Sequence, residues 1–392
     1  MSVFQNQIMA GTSANQGTKY TLWSWGTATN GTMGLNNVTA YNTPQQIGSD
    51  DDWTPMVYMR ANATHAIKTD GTLWCIGGSG TLRGDNSTTS ISSPVQIGTA
   101  TNWYYVGGGY QRAYAVNTSG ELWCWGSNSK GELGQGTASN TVISSMVQVA
   151  GTTWAAAAGG NAHTMALKTD GTIWGWGEGD NGRTWHNNNT NYSSPVQGVG
   201  STEWWKVRSS VNISDGWEAG VETAKGFGYT QGYWHCMNID ENGKLWGCGG
   251  FSGATSNGGQ PTSPTQVGTD TTWTNLSCSS FGGAGINNGT MSCWGGYNFA
   301  GERGNGDTTN DPTTIIEWDG TATDVARSQS LYYEAHNSCI IGGTIYFSGA
   351  NDQGQGGKGN TTNYSSPVQG PSGSSWVKVI CGKTGTIGVK KG

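Results

Sequence analysis

The 392-residue sequence predicts an all-β protein built from seven similar repeats, and three observations lead to this prediction. Only 11% of the residues are charged, while 66 glycines and 20 tryptophans indicate rigid, turn-rich β structure rather than helices. A short apolar string that closes on glycine, as in GTIWGWG at 171–177, recurs along the chain. Successive strings lie about fifty residues apart, which is a typical period for the blades of a β-propeller.

Three markers follow one another in each repeat. The first is the closing glycine, at Gly26, Gly77, Gly126, Gly177, Gly249, Gly295 and Gly349. The second is a run such as Pro-Val-Gln, which begins at Pro44, Pro94, Met146, Pro195, Pro264, Pro312 and Pro367. The third is a tryptophan, at Trp53, Trp103, Trp154, Trp204 or Trp205, Trp273 and Trp376, with Ala322 in the sixth repeat. Seven occurrences predict a seven-bladed β-propeller.

The two ends of the chain together make one repeat. The C-terminal WVKVICGKTGTIGVKKG supplies its first part, and TKYTLWSWG near the N-terminus supplies the second. We therefore expect the N- and C-terminal strands to pair and close the ring, which removes an open sheet edge. The predicted organisation is an extended leader at 1–17 and a propeller at 18–392 with a loop inserted at 208–235.

The repeated residues, best seen in GGNAHTMALKTDGTIWGWG at 159–177 and SSPVQ at 193–197, resemble the RCC1 repeat family. The resemblance extends from about Lys19 to Gly392 and implies a seven-bladed RCC1-like β-propeller. The family includes nucleotide exchange factors, nucleosome binders, a plant UV-B photoreceptor and a secreted β-lactamase inhibitor, so the fold implies no single function. Its members share partner binding through loops.

The leader MSVFQNQIMAGTSANQG resembles the opening peptide of virion-associated proteins of marine tailed bacteriophages. This resemblance implies a virion anchor that docks on other virion proteins through its apolar residues Phe4, Ile8 and Met9. The alternative is a disordered start. The leader lacks the charged and apolar regions of a secretory signal, and no segment is long and apolar enough to span a bilayer. We expect synthesis in a host cytoplasm and no membrane insertion.

The inserted loop is rich in aromatic residues. It lengthens the interval between Gly177 and Gly249, and it contains Trp217, Phe227, Tyr229, Tyr233 and Trp234 among glycines. Exposed aromatic side chains on a loop suit a sugar ring or a protein surface, so these five residues form a candidate site for a ligand or partner. The alternative is that they fold back and cover a face of the propeller.

Other candidate sites have a simpler interpretation. His163, His235 and His336 occupy equivalent positions in different repeats, so we expect structural hydrogen bonds rather than a metal site. GQGGKG at 354–359 matches GELGQG at 131–136 and is a repeat turn rather than a nucleotide loop. Asp50, Asp51 and Asp52 lack the spacing of a calcium loop. Eight cysteines without an export signal indicate buried free thiols.

These patterns predict a non-enzymatic protein without a metal or other cofactor. A formal net charge of −6 and the lack of a basic run argue against nucleic acid as a partner. We expect a structural or interaction protein of a bacteriophage virion, displayed as a tail fibre or head decoration, that contacts a host surface glycan or protein. The alternative is a bacterial RCC1-like binding or inhibitor protein that acts on a protein partner through one propeller face. A hydrolase of surface glycans is a third hypothesis.

Overall fold

The fold is seen in a computed structural model that describes residues 18–27, 31–60, 63–78, 80–199, 235–240, 242–249, 262–278, 282–295, 298–309, 315–328 and 335–392. Within these ranges the strands in chain order are β1 (Tyr20–Gly26), β2 (Tyr41–Gln46), β3 (Trp53–Arg60), β4 (Ala63–Lys68), β5 (Leu73–Gly78), β6 (Val95–Gln96), β7 (Trp103–Gly109), β8 (Arg112–Asn117), β9 (Leu122–Asn128), β10 (Ser139–Gln148), β11 (Trp154–Gly159), β12 (His163–Lys168), β13 (Ile173–Gly177), β14 (Tyr192–Gln197), β15 (His235–Ile239), β16 (Leu245–Gly249), β17 (Thr265–Gln266), β18 (Trp273–Cys278), β19 (Gly282–Asn287), β20 (Thr290–Gly295), β21 (Ile316–Trp318), β22 (Ala322–Arg327), β23 (His336–Ile341), β24 (Thr344–Gly349), β25 (Tyr364–Gln369), β26 (Trp376–Cys381) and β27 (Gly385–Lys391).

These strands form seven antiparallel sheets, which confirms the predicted all-β, seven-bladed β-propeller. Blade 1 is β3–β6, blade 2 is β7–β10, blade 3 is β11–β14, blade 5 is β18–β21 and blade 6 is β22–β25. Blade 4 contains β15–β17 in the part of the chain described, and blade 7 combines β26 and β27 with β1 and β2. The first strands of neighbouring blades contact one another and form the inner wall of the propeller.

Blade 7 closes the ring as predicted. Strand β1 pairs with β27 along its whole length, from Tyr20 opposite Lys391 to Gly26 opposite Gly385. The backbone N–H of Gly392 also donates to the carbonyl of Lys19 at 2.8 Å. The first and last strands of the propeller therefore lie side by side in one continuous sheet, and neither β1 nor β27 is an edge strand.

The two ends of the propeller differ in their connections. We call one end the hairpin face, where second and third strands are joined by short turns such as 69–72 and 118–121. We call the other end the loop face, where third and fourth strands are joined by long segments such as 129–138 and 178–191. Loop length is therefore concentrated on one face.

In three of the apolar strings the second tryptophan links neighbouring blades, and this explains why two tryptophans stand one residue apart there. Its buried indole N–H donates at 2.7 Å to a carbonyl in a loop of the preceding blade, in the pairs Trp125–Leu82, Trp176–Glu132 and Trp25–Gln355. Each of these rings is also at most 1% exposed, so it adds apolar burial between two sheets. The glycine that follows turns the chain with a positive φ, as at Gly126 and Gly177.

In blade 1 the turning glycine differs from the predicted one. The sequence places it at Gly77, but Gly78 has the positive φ, at 121°, and pairs with Ala63. The register shifts within this strand pair, because β5 accommodates one additional residue. The eight cysteines match their prediction, since all are buried free thiols.

A conservative substitution can measure the link between blades. Trp176→Phe is expected to destabilise the protein by about 1–2 kcal/mol more than Trp294→Phe does. Both indoles are at most 1% exposed, but Trp176 donates to Glu132, whereas Trp294 Nε1 has no hydrogen-bond partner within the described part of the chain. Urea unfolding of the two variants gives the difference, and equal losses would contradict a stabilising role for the hydrogen bond.

Candidate functional site

The loop face is the candidate functional surface, because long loops on a rigid scaffold are the usual place for partner binding. The predicted aromatic residues lie outside the described part of the chain, namely Trp217, Phe227, Tyr229, Tyr233 and Trp234. His235 follows them directly and begins β15 at the loop face, opposite Gly249. His235, the last residue of the predicted insertion, therefore lies at this face. The anchor residues Phe4, Ile8 and Met9 also lie outside the described residues.

A buried ion pair holds the loop face together between blades 2 and 3. Arg112 Nη1 lies 3.3 Å from Glu132 Oε1, and both side chains are 1% exposed. Arg112 Nη2 donates to the carbonyls of Gly160 and Asn161 at 2.9 and 2.8 Å. The guanidinium thus fixes the first hairpin of blade 3 against blade 2. Burying both charges costs solvation free energy, which the ion pair and these hydrogen bonds offset.

A second charged group lies beside the first on the loop face. Arg183 Nη1 donates to Glu178 Oε2 at 2.6 Å, and Arg183 Nε donates to the carbonyl of Asp180 at 2.7 Å. Lys130 Nζ approaches the other oxygen of Glu178 at 3.9 Å, and its side chain is 47% exposed. Tyr110, in the first hairpin of blade 2, is 38% exposed. This sector offers a partner both charge and an aromatic ring.

The third charged cluster lies between blades 5 and 6. Glu302, in the long loop of blade 5, is 1% exposed, and one carboxylate oxygen accepts a hydrogen bond from Ala300 N at 3.0 Å. Burial raises the pKa of the Glu302 carboxyl to about 7, and the positive charge of Arg327 opposes this rise. Burial likewise lowers the pKa of Arg327. Glu302 therefore changes charge near neutral pH.

We expect Glu302→Gln to stabilise the protein at pH 8 but not at pH 5. The folded-state pKa of Glu302, about 7, exceeds the ordinary value of 4.5, so the folded state binds the proton more tightly than the unfolded state does. Protonation of Glu302 therefore stabilises the fold at low pH, and this contribution to the free energy of unfolding is lost as pH rises through 7. At pH 8 the substitution is expected to raise the free energy of unfolding by up to about 3 kcal/mol. Urea unfolding at both pH values measures it. Glu132→Gln is the control and should destabilise at both, because it removes the buried partner of Arg112. A loss of stability at pH 8 in Glu302→Gln would contradict the prediction.

The three histidines begin the second strands of blades 3, 4 and 6, and each lies in its own blade. The structure brings together no group of three His, Cys, Asp or Glu side chains able to hold a metal within its described residues. His336 Nε2 lies 3.1 Å from Thr386 Oγ1, which fits the predicted structural hydrogen bond. For His163 that prediction is wrong, since both ring nitrogens are buried and neither has a hydrogen-bond partner among the residues that the structure describes. Burial lowers the pKa of His163 well below 6.5, so the ring stays neutral.

The acidic and glycine-rich motifs have structural roles. Asp50 and Asp52 lie 2.7 and 3.0 Å from Lys68 Nζ, and Asp51 pairs with Lys19, so the acidic turn carries its own cations. The GQGGKG and GELGQG segments make matching turns, with Gly357 N donating to Gly354 at 3.0 Å and Gly134 N to Gly131 at 2.9 Å. Among the described residues, none forms a helix long and apolar enough to cross a membrane.

Comparison with known proteins identifies the repeats. Residues 119–167 match the model of the regulator of chromosome condensation (RCC1) repeat, and residues 105–132 and 154–183 match a second model of the same repeat. The chain is 32% identical to the ultraviolet-B receptor UVR8 of Arabidopsis thaliana over 199 residues, which is 50% of this chain and 44% of that protein. It is 24% identical to the human E3 ubiquitin-protein ligase HERC2 over 94% of this chain and 8% of that protein. The chain thus spans less than half the length of these relatives.

Solved structures support the same fold. Human WBSCR16 superposes with a TM-score of 0.74 at 15% identity, covering 96% of this chain and 99% of that one. Prp20p of Saccharomyces cerevisiae superposes with a TM-score of 0.71 at 14% identity, covering 98% and 94%. Taken with the repeat matches and the seven sheets, these likenesses identify the chain as a seven-bladed β-propeller that contains RCC1 repeats.

Proposed function

We propose that the protein is a non-enzymatic binding module of a bacteriophage virion, held on the particle by its leader and displayed as a tail or head appendage. The observation that supports this arrangement is the position of Lys19, just after the leader, relative to the loops. Lys19, which follows the leader, lies on the hairpin face beside Asp51 and Gly392. The long loops lie at the opposite end of the propeller, so an anchor at residues 1–17 leaves the loop face free.

Each end of the molecule then has its own partner. Phe4, Ile8 and Met9 would dock on other virion proteins, because they are large apolar residues in a mainly polar leader. The inserted aromatic residues Trp217, Phe227, Tyr229, Tyr233 and Trp234 would contact a host surface glycan or protein. The half-exposed Tyr110 and Lys130 lie on the loop face and would extend this contact.

Structural relatives support the coarser part of the proposal, that of partner binding. The yeast protein Prp20p is described by its binding to Gsp1p and histones, and it has also been solved in complex with Kap60. A role on nucleic acid is disfavoured for this chain by its net charge of −6. The proposal therefore takes protein or glycan partners.

The test compares the full chain with a chain that lacks residues 1–17. We expect the full chain to bind virion proteins of its source and the shortened chain to lose this binding while keeping its melting temperature. Phe4→Ser/Ile8→Ser/Met9→Ser should reproduce the loss, whereas Trp217→Ser/Trp234→Ser should retain virion binding and lose host-surface binding. Purified particles that contain no peptide of this chain by mass spectrometry would exclude the virion role.

The second candidate is a bacterial RCC1-like protein that binds or inhibits a protein partner through one propeller face. It is favoured by the charged sector around Arg112, Glu178 and Lys130, which needs no leader to act. Capture of one protein partner by both the full and the shortened chain, with loss on Lys130→Glu, would support this candidate over the virion role.

A further inference from the structure

Three blades hold a lysine between two tryptophans at the hairpin face. In each case the rings are nearly perpendicular, and the ammonium lies 4.1–5.1 Å from both ring centroids. The sets are Lys68 with Trp53 and Trp74, Lys168 with Trp154 and Trp174, and Lys390 with Trp23 and Trp376. An ammonium over an indole face is attracted by the ring quadrupole, so each blade provides two such faces for one cation.

Blade 2 contains the same tryptophan pair without the lysine. Trp103 and Trp123 lie 6.4 Å apart at 83°, close to the 5.9 Å and 78° of Trp154 and Trp174. The residue opposite Trp103 in the strand register is Asn117, where blade 3 has a lysine opposite its tryptophan. The Asn117 side chain is shorter than that of lysine and carries no charge. Among the described residues, no cation therefore occupies the position of the ammonium in blade 2.

At the start of its third strand, blade 2 has an acidic residue where blades 1, 3 and 7 have threonine. Acidic residues also border the ammonium of blade 1, where Asp50 and Asp52 pair with Lys68. Glu121 occupies the place of Thr72 and Thr172, whose hydroxyls accept the indole N–H of their tryptophans at 2.8 and 2.9 Å. Glu121 Oε2 instead accepts a hydrogen bond from Asn117 Nδ2 at 2.6 Å, and Trp123 Nε1 is buried with no partner in the described ranges. The exchange adds negative charge beside two aromatic rings and leaves an indole N–H unsatisfied.

From this geometry we infer that Trp103, Trp123 and Glu121 form a binding site for an alkylammonium group supplied by another molecule. The three lysines of the other blades show which ligand suits the paired rings, namely a primary ammonium on an unbranched carbon stem. Trp123 and Glu121 are half-buried, as are Lys168 and Lys390 in their own blades, whereas Trp103 and Lys68 are buried. The site therefore meets solvent on the side of Trp123 and Glu121. Cation–π attraction and the carboxylate charge both favour the cation.

The ammonium can come from a lysine side chain of a protein partner or from a free amine. The site lies on the hairpin face, away from the long loops, and it goes beyond the proposed function. Its failure would leave the loop-face and leader experiments unaffected, because those variants do not touch the hairpin face of blade 2.

The test follows the indole N–H signals of ¹⁵N-labelled protein by NMR during titration with Nα-acetyl-lysine methylamide. We expect the signal of Trp123 to shift, and we expect no shift with the uncharged norleucine analogue. Asn117→Lys should weaken binding about tenfold or more, because it places a lysine between the rings as in blades 1, 3 and 7. Glu121→Thr, which introduces the residue of blades 1 and 3, should also weaken binding.

Two further ligands separate the sources. Tighter binding of a glycine-flanked lysine peptide than of butylamine would assign the site to a protein partner, and the reverse order would assign it to a free amine. The inference is overturned if no indole shifts at about 100 mM ligand, a concentration at which even very weak binding is visible. It is also overturned if norleucine and lysine analogues act equally, or if Asn117→Lys and Glu121→Thr, both folded by circular dichroism, bind as the native protein does.

Discussion

Trp185→Gly is expected to destabilise the propeller by about 3–5 kcal/mol, and adding Cys248→Trp is expected to restore most of the loss. Trp185 is 1% exposed and packs in the same buried cluster as Cys236 and Cys248 of blade 4. Removing its ring would leave a cavity between blades 3 and 4. The second substitution would fill that cavity from the other side of the interface.

This expectation rests on the position of Trp185 in the loop that joins the third and fourth strands. The same position is glycine in every other blade in which this loop is described. These glycines have positive φ values and are Gly34, Gly84, Gly134, Gly304 and Gly357. A Cβ placed on Gly84 or Gly134 would lie 3.0 Å from the indole of Trp125 or Trp176, the large residue of the next blade. Glycine is therefore required there by the neighbouring ring as well as by the backbone.

Blades 3 and 4 reverse this arrangement. Trp185 occupies the glycine position despite its φ of +62°, a conformation that costs energy for a bulky residue. In blade 4, Cys248 occupies the position of the second tryptophan and donates its S–H to the carbonyl of Gly182 at 3.2 Å. The large side chain has thus moved from one blade to its neighbour.

A double-mutant cycle measures this exchange. We expect Cys248→Trp alone to destabilise the protein, because two indoles would then compete for one space, and the coupling energy between the two changes to be about 2–3 kcal/mol in the favourable direction. Urea unfolding of the four proteins gives the cycle, and Trp174→Phe combined with Cys248→Trp is the matched unrelated pair. If the losses in free energy of unfolding for Trp185→Gly and Cys248→Trp simply added in the double variant, the two side chains would not share one space, which would contradict this interpretation.

The exchange also shows where sequence reasoning reaches its limit in this fold. The number of blades and their closure follow from the spacing of repeated residues, because each blade needs the same strands and turns. Trp185 was not predicted, since its role depends on Cys248 across a blade interface. A sequence signal exists in TWHN at 184–187, where other repeats have glycine, but it has meaning only together with LWGCG at 245–249.

The candidate sites show the same limit. Arg112 and Glu132 lie in different strands or loops of one blade, and no spacing rule of the repeat marks them as a buried ion pair. The tryptophan pair of blade 2, which has no lysine between its rings, is visible in the sequence only as Asn117 in place of lysine and Glu121 in place of threonine. Both substitutions are ordinary for surface residues until the strand register places them beside Trp103 and Trp123.

Removing residues 385–392 is expected to prevent the propeller from folding. This deletion eliminates β27, which joins β26 to β1 and pairs with β1 over seven residues. Its loss would leave two unpaired strand edges and separate the last blade from the first, at a cost comparable to the whole stability of a domain, about 5–15 kcal/mol. Removal of residues 1–17 is the control and should leave the melting temperature unchanged. A cooperative transition in the protein that lacks β27 would contradict this expectation.

A circular permutant separates two roles of β27, which completes the sheet of blade 7 and also closes the ring by pairing with β1. Joining Gly392 to Lys19, whose backbones are hydrogen-bonded at 2.8 Å, and opening the chain between Thr99 and Ala100 keeps every strand. Each blade is then continuous, and blades 1 and 2 meet only through side-chain packing and the hydrogen bonds between blades. We expect this permutant to fold but to unfold at lower urea than the native chain, because opening the ring no longer requires breaking a β-sheet. Equal stability would show that packing between blades alone closes the ring, and β1 and β27 would then be needed only to complete blade 7.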